Sequence, residues 1–251
     1  MTKKRPNRAD ILGCLIDMIS MEQALAAIEK MIDNGKPNQI ITLNAEIVYS
    51  AQKDRGLREI INSAQMVTPD GIGIVWAARS LGCKIKDRVT GIDLVHRLCQ
   101  LAATKGWKVF FFGAAPGVAE LAAQKLTGEY PGLNICGCRD GYFADGDEEN
   151  IIKEIKQQTP DILLVALGAP KQEIFIKKHK NKLGVPVCLG VGGSFDVLSG
   201  IKLRAPKVFI KLNLEWFYRL LSEPSRFRRQ LALPKFALMI IKQKYMSRGN
   251  P

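Results

Sequence analysis

Along the chain, short apolar runs stop at corners rich in polar residues, glycine or proline, and each is followed by a segment with apolar residues at helical spacing. The runs cover 39–42, a segment closing at Thr68, then 107–112, 133–136, 161–167 and 185–189. Thr68 closes its run because a residue before proline is pushed toward extended geometry. Between them, Ser20 and Gln23 form a capping-box signature for a helix that ends at Asn34-Gly35. Further helices are predicted over 44–52, 72–81, 94–104, 119–127, from 148 onward, and for about ten residues after Glu173. Strands alternating with helices in this way predict an α/β fold, a parallel Rossmann-like sheet flanked by helices. Residues 1–10 are polar and expected to fray. Residues 207–221 read as one amphipathic helix and 234–244 as a last one, so the expected organisation is an α/β catalytic domain over 1–200 and a basic helical appendage over 201–251.

Charge sharpens the picture of that appendage. The chain of 251 residues carries a net +13, and residues 201–251 hold twelve Lys or Arg against two Glu. Such asymmetry points to an anionic partner. Trp216, Phe217 and Tyr218 beside the basic residues suit a helix lying at a membrane surface, with a helical cap on the core as the plainer reading. A nucleotide-sensing protein that binds nucleic acid is the rival from a different class, and no recognisable reading module supports it. No apolar run approaches the roughly 18 residues of a membrane span, and no secretory core follows the basic start, so a cytoplasmic protein is expected. The six cysteines are dispersed and read as reduced thiols, and His96 and His179 stand apart from them, so no metal site is expected. Apolar residues on an undocked appendage would favour self-association.

The corners carry the candidate chemistry. Thr68-Pro69-Asp70-Gly71 presents one carboxylate at a strand's end, where it serves either as a helix cap or as a general base. Thr42 and Asn44 stand at another strand-to-helix corner, suited to capping or to ligand contact. Arg88 could grip a diphosphate through two nitrogens or be a solvated loop residue. Gly113 opens a loop resembling a phosphate turn, without the full dinucleotide spacing that an oxidoreductase would show. Asp145 and Asp147 are similar to the metal-binding acids of sugar-nucleotide transferases, but they precede a strong helix start and are assigned to capping. Lys171 and Gln172 follow another strand, and Gly190, Gly192 and Gly193 permit close backbone approach to a ligand, with Asp196 available to accept from a base or ribose.

Together, Thr42-Leu43-Asn44, Thr68-Pro69-Asp70-Gly71, Arg88-Val89-Thr90-Gly91, Gly168 to Glu173 and Gly190 to Asp196 resemble the WecG/TagA/CpsF family of bacterial glycosyltransferases. The match spans residues 42–196, and Arg204-Ala205-Pro206 with the basic tail is similar to the family's membrane-associating C-terminus. The chain looks closest to the family's TagA type. The resemblance implies an inverting, metal-independent transfer of N-acetylmannosamine from UDP-ManNAc to the 4-hydroxyl of polyprenyl-diphosphate-linked N-acetylglucosamine, in wall teichoic acid synthesis and without a cofactor. A related transferase using UDP-ManNAcA or UDP-glucose is the alternative. It implies Asp70 as base, Thr42 and Asn44 orienting a sugar, and Arg88, Gln172 and glycine-corner amides meeting the leaving group. Asp196 and Tyr142 would hold uridine, and Arg219, Arg226 and Arg229 would add charge for the diphosphate. The partners implied are a UDP-sugar, a lipid-linked diphosphate acceptor and the anionic inner face of the cell membrane, with no nucleic acid.

Overall fold

The computed structural model describes residues 8–85, 88–144, 146–222 and 230–248, with side chains undescribed at 219, 247 and 248. Its elements in order are β1 (Arg8–Ile11), β2 (Cys14–Asp17), α1 (Met21–Asp33), β3 (Asn38–Leu43), α2 (Ala45–Ala51), α3 (Arg55–Ser63), β4 (Met66–Pro69), α4 (Ile72–Ser80), α5 (Gly91–Lys105), β5 (Lys108–Gly113), α6 (Val118–Glu129), β6 (Asn134–Arg139), α7 (Glu148–Gln158), β7 (Ile162–Ala166), α8 (Lys171–Leu183), β8 (Val187–Gly190), α9 (Ser194–Leu198), α10 (Lys207–Lys211), α11 (Glu215–Ser222) and α12 (Ala232–Arg248).

Six strands form a wholly parallel sheet in the order β4-β3-β8-β7-β5-β6. A parallel sheet is covered on both faces, which is why its strands read as unbroken apolar runs. Alternation decides which residue goes to which face. Ile40, Met66, Phe111, Leu164 and Leu189 pack with α1, α5, α6 and α9, where the Phe111 and Phe195 rings stack at 4.7 Å. Ile41, Leu43 and Val67 face the other way, against α2, α3, α4 and α12. On that same face Phe110, Phe112 and Val165 meet α7 and α8.

Several local expectations needed correction. Residues 8–17 form an antiparallel hairpin instead of fraying from residue 8 on, turned by Leu12 and Gly13, both at positive φ. Its Asp17 binds Arg8 at 2.7 Å and accepts the Val67 N–H at 2.7 Å, so it occupies the exposed edge of β4. Helix α3, capped by Asp54 through the Leu57 N–H, lies where no element is predicted from the sequence. The single helix expected over 207–221 is two, interrupted at 212–214 where Asn213 adopts φ 60°. Helix α12 is docked: Phe236 and Ile240 are buried in the same cluster as Val48 and Ile74.

Candidate functional site

Neighbouring strands β3 and β8 run in register with Ile41 opposite Gly190, yet they lead to helices on opposite faces, β3 to α2 and β8 to α9. Chains that diverge at the carboxyl ends of adjacent parallel strands open a crevice between them, the usual ligand position in such sheets. A cavity of about 640 Å³ opens there, lined by Thr42, Asn44, Asp70, Arg88, Gln172, Gly192 and Gly193 among others. That volume lies in the range of roughly 300–1,000 Å³ typical of small-molecule sites.

The register of β3 and β4 pairs Leu43 with Pro69, so Asn44 and Asp70 leave the sheet side by side. Asn44 caps α2, its Oδ1 accepting the Ile47 N–H at 3.0 Å. Asp70 does not cap α4. The N-cap of that helix is Gly71, φ 87°, with no side-chain capping bond, and Asp70 Oδ2 instead accepts the N–H of Gly91 at 3.3 Å, the first residue of α5. The backbone holds this arrangement: Asp70 N–H donates to Leu43 O at 2.9 Å and Val89 N–H to Pro69 O at 2.8 Å. A Cβ on Gly91 would lie 3.3 Å from Thr42 Oγ1 and 3.7 Å from Asp70 Oδ2, which places these three residues in one corner.

The glycine corner after β8 is gripped from two sides. Thr42 Oγ1 donates to Gly190 O at 3.3 Å, and Gln172 Oε1 accepts the Gly192 N–H at 2.9 Å. Gln172 is only 3% exposed although it lines the cavity.

Electrostatics concentrate at the mouth of α5. Thr90 caps α5, and its hydroxyl donates to Asp93 at 2.6 Å while Arg204 reaches the same carboxylate. Burial acts to raise the Asp93 pKa, but the bonds from Thr90 and Arg204 and the charges of Arg204 and Arg88 outweigh it and hold the carboxyl below its ordinary value. Arg88 Nη1 binds Glu215 Oε2 of α11 at 2.7 Å. Sequence reasoning did not place Glu215, Gln230, Trp76 or Trp216 at the site, yet all four line the cavity. These contacts join distant parts of the chain, and no local pattern signals them.

The other candidates lie elsewhere. Gly113, Tyr142 and Asp196 are not among the cavity's lining residues. A Cβ on Gly113 would meet the Ala166 backbone carbonyl carbon at 2.5 Å, so this glycine lets β5 and β7 approach. Tyr142 is exposed, next to Gly141, whose N–H donates to Ala114 O beyond β5. Asp196 pairs with Lys202 at 2.8 Å. Arg226, Arg229 and the side chain of Arg219 lie outside the described residues. So does Asp145; Asp147 precedes α7 without a side-chain capping bond, while Glu148 and Glu149 in the first turn pair with Lys178, His179 and Lys182. Among the described residues no group of three His, Cys, Asp or Glu is placed to hold a metal ion, and no helix is long and apolar enough to cross a membrane.

The sequence profile described as "Glycosyl transferase WecG/TagA/CpsF family" matches residues 9–250. A Bacillus spizizenii protein named N-acetylglucosaminyldiphosphoundecaprenol N-acetyl-beta-D-mannosaminyltransferase is 39% identical over 216 residues, 86% of this chain and 83% of that one. A Bacillus subtilis protein of the same name is 40% identical over 205 residues, 82% and 79% of the two chains. A third, from Staphylococcus aureus, is 37% identical over 246 residues, 96% of each.

Proposed function

The chain belongs to the WecG/TagA/CpsF family of glycosyl transferases, and from that membership we propose that it transfers N-acetylmannosamine from UDP-ManNAc to the 4-hydroxyl of undecaprenyl-diphosphate-linked N-acetylglucosamine. The observation that carries the reading is the convergence of Asp70, Thr42, Asn44, Arg88 and Gln172 on one cavity at the carboxyl edge of the sheet. The relatives' shared name supplies the acceptor and the sugar.

In the reaction proposed, the acceptor oxygen displaces UDP at the donor's anomeric carbon in one step, which inverts an α-linked donor to a β-linked product. Asp70 takes the proton from the acceptor hydroxyl. A carboxylate can do so because proton loss follows bond formation and the diphosphate is already a good leaving group. Thr42 and Asn44 orient a sugar at the corner shared with Asp70. Negative charge building on UDP is met by the Arg88 guanidinium, the Gln172 side-chain amide and backbone N–H groups of the glycine corners other than that of Gly192, which Gln172 Oε1 takes, without a metal ion. The donor's uridine extends along the sheet edge toward Asp196 and Tyr142, beyond β8, β7 and β5. Arg219, Arg226 and Arg229 add positive charge from the C-terminal segment.

That segment also serves as the attachment to the membrane. Val208, Leu212, Leu221, Leu238 and Tyr245 are exposed on α10 to α12, with Lys207, Lys211, Lys235, Lys242 and Lys244 along the same stretch. Each basic residue near an anionic bilayer contributes about 1 kcal/mol. Peripheral attachment brings the cavity to a lipid-linked acceptor.

The test pairs several UDP-sugars with a lipid-diphosphate N-acetylglucosamine acceptor, with and without EDTA, and determines the anomeric configuration of the product by NMR. The expected result is a β-linked product from UDP-ManNAc, unaffected by EDTA. Asp70→Asn is expected to lose about 10²-fold in kcat. A variant retaining a tenth of wild-type rate would reassign the base. Flotation with anionic liposomes reads the membrane attachment, which removal of residues from 201 onward should abolish.

A further inference from the structure

Next to Gln172 in the first turn of α8 is a carboxylic acid that the mechanism above does not use. Glu173 is 1% exposed, and its Oε2 has no hydrogen-bond partner. Its Oε1 accepts from Gln172 Nε2 at 2.8 Å, and its backbone carbonyl accepts from the buried Gln39 amide at 3.0 Å. Two bonds in series therefore fix the Gln172 side chain, one to Glu173 and one to the Gly192 N–H at 2.9 Å. The Gly192 N–H can only donate, so the amide oxygen must face it and the amide nitrogen must face Glu173. The side chain also lies across Gly190, where a Cβ would come within 2.6 Å of Gln172 Nε2.

We propose that Glu173 is a positioning residue, an un-ionised acid that locks the orientation of the Gln172 amide and, through it, the shape of the Gly190–Gly193 corner at the cavity. A charged carboxylate buried with one of its oxygens orphaned is strongly disfavoured, whereas the neutral acid still accepts from Gln172. The direction of the Glu173 pKa agrees: burial raises it, against the bonds from Gln172 and its own backbone N–H. Glu173 touches no substrate in this reading. Its effect reaches the reaction because a misoriented Gln172 would present its oxygen where a donor to UDP is needed. The inference rests on the glycosyl-transfer reading for its kinetic consequence and is independent of it for the state of the acid.

Two measurements test it. Carbon-13 NMR of the Glu173 carboxyl in the full-length protein should show an un-ionised acid at pH 7, and an ionised one overturns the proposal whatever reaction is catalysed. Kinetics then compare Glu173→Gln, which keeps the shape and an acceptor oxygen, with Glu173→Leu, which keeps only the shape. The Gln variant should restore wild-type kcat and donor KM, while the Leu variant should lose about tenfold in kcat/KM, the scale of one hydrogen bond to a buried amide, with an undiminished melting temperature. UDP affinity by calorimetry should follow the same order. A Leu variant equal to wild type overturns the proposal, as does a Gln variant as impaired as Leu. A wild-type enzyme that turns over no UDP-sugar defeats the functional reading alone.

Discussion

The guanidinium of Arg88 donates to the carboxylate of Glu215 at 2.7 Å, tying the corner before α5 to α11 across a sequence separation of 127 residues. The side chains are 19% and 14% exposed, so their attraction is little screened by water. In the proposed reaction Arg88 faces a diphosphate, and Glu215 competes with that diphosphate for the same cation. Glu215→Gln is therefore expected to tighten UDP binding severalfold, read by calorimetry. The same variant should lose about 1–2 kcal/mol of stability in urea unfolding as the ion pair goes. Arg88→Ala, which removes the cation, should lower kcat/KM by about 10²-fold.

Gly190→Ala is expected to act through Gln172. The new methyl would lie 2.6 Å from Nε2 and 3.1 Å from the amide carbon, so the whole side chain must leave its place over β8. The loss in kcat/KM should match that of Gln172→Ala, and the double variant should be no worse than either single one, since both remove the same arrangement. Additive losses would show that Gly190 acts separately.

Two carboxyl groups are expected to answer to pH with opposite sign. Asp93 has a pKa held below its ordinary 3.8 by Thr90, Arg204 and Arg88 acting against burial, so it contributes stability above that value and loses it as pH falls through the folded pKa. Asp93→Asn should destabilise the protein at pH 7 and converge with wild type in acid. Burial raises the pKa of Glu173 above 4.5, so the folded state retains a proton that the unfolded chain releases, and stability falls as pH climbs from 4.5 toward the folded pKa. Glu173→Gln should therefore be no gain at low pH and an increasing one as pH rises through that window. Denaturant titrations at several pH values check both.

The alternation of apolar runs and helices was legible because a doubly covered parallel sheet leaves long, unambiguous runs such as Phe110-Phe111-Phe112. The corners were legible as places, since glycine, proline and a polar residue at a strand's end mark themselves. What each polar side chain does there was not. Asp70 could equally cap its own helix; its choice of the Gly91 N–H depends on how β4 and α5 pack, 21 residues apart in sequence. Glu173 reads as an acid in a first helical turn, and only the fold shows it enclosed. The helix over 207–221 breaks because Asn213 takes a left-handed conformation that neighbouring Leu212 and Leu214 do not announce. Helix α3 does carry a local signal, Asp54 as cap with Leu57 and Ile61 at a spacing of four, but it lies between two stronger elements and is short.

Phe236→Ala should test how firmly the last helix is held. Its ring is 2% exposed within the cluster formed by α2 and α4. Truncating a buried aromatic of this kind costs about 3–5 kcal/mol. The loss should appear as faster amide hydrogen exchange in α2 and α4 as well as α12, the helices that follow the Asn44 and Asp70 corners.

The docking of α12 also bears on how the protein is made. Its Gln243 accepts the Leu12 N–H at 3.0 Å and donates to Asp10 O at 3.2 Å, so the hairpin at the start of the fold is closed by a helix translated after every other element described. On the ribosome, α2 and α4 must wait with their apolar faces uncovered until that helix emerges. For that interval the nascent chain is a client for chaperones or a hazard for aggregation, and the wall that Phe236 and Ala237 give the cavity is the last part of the cavity to exist.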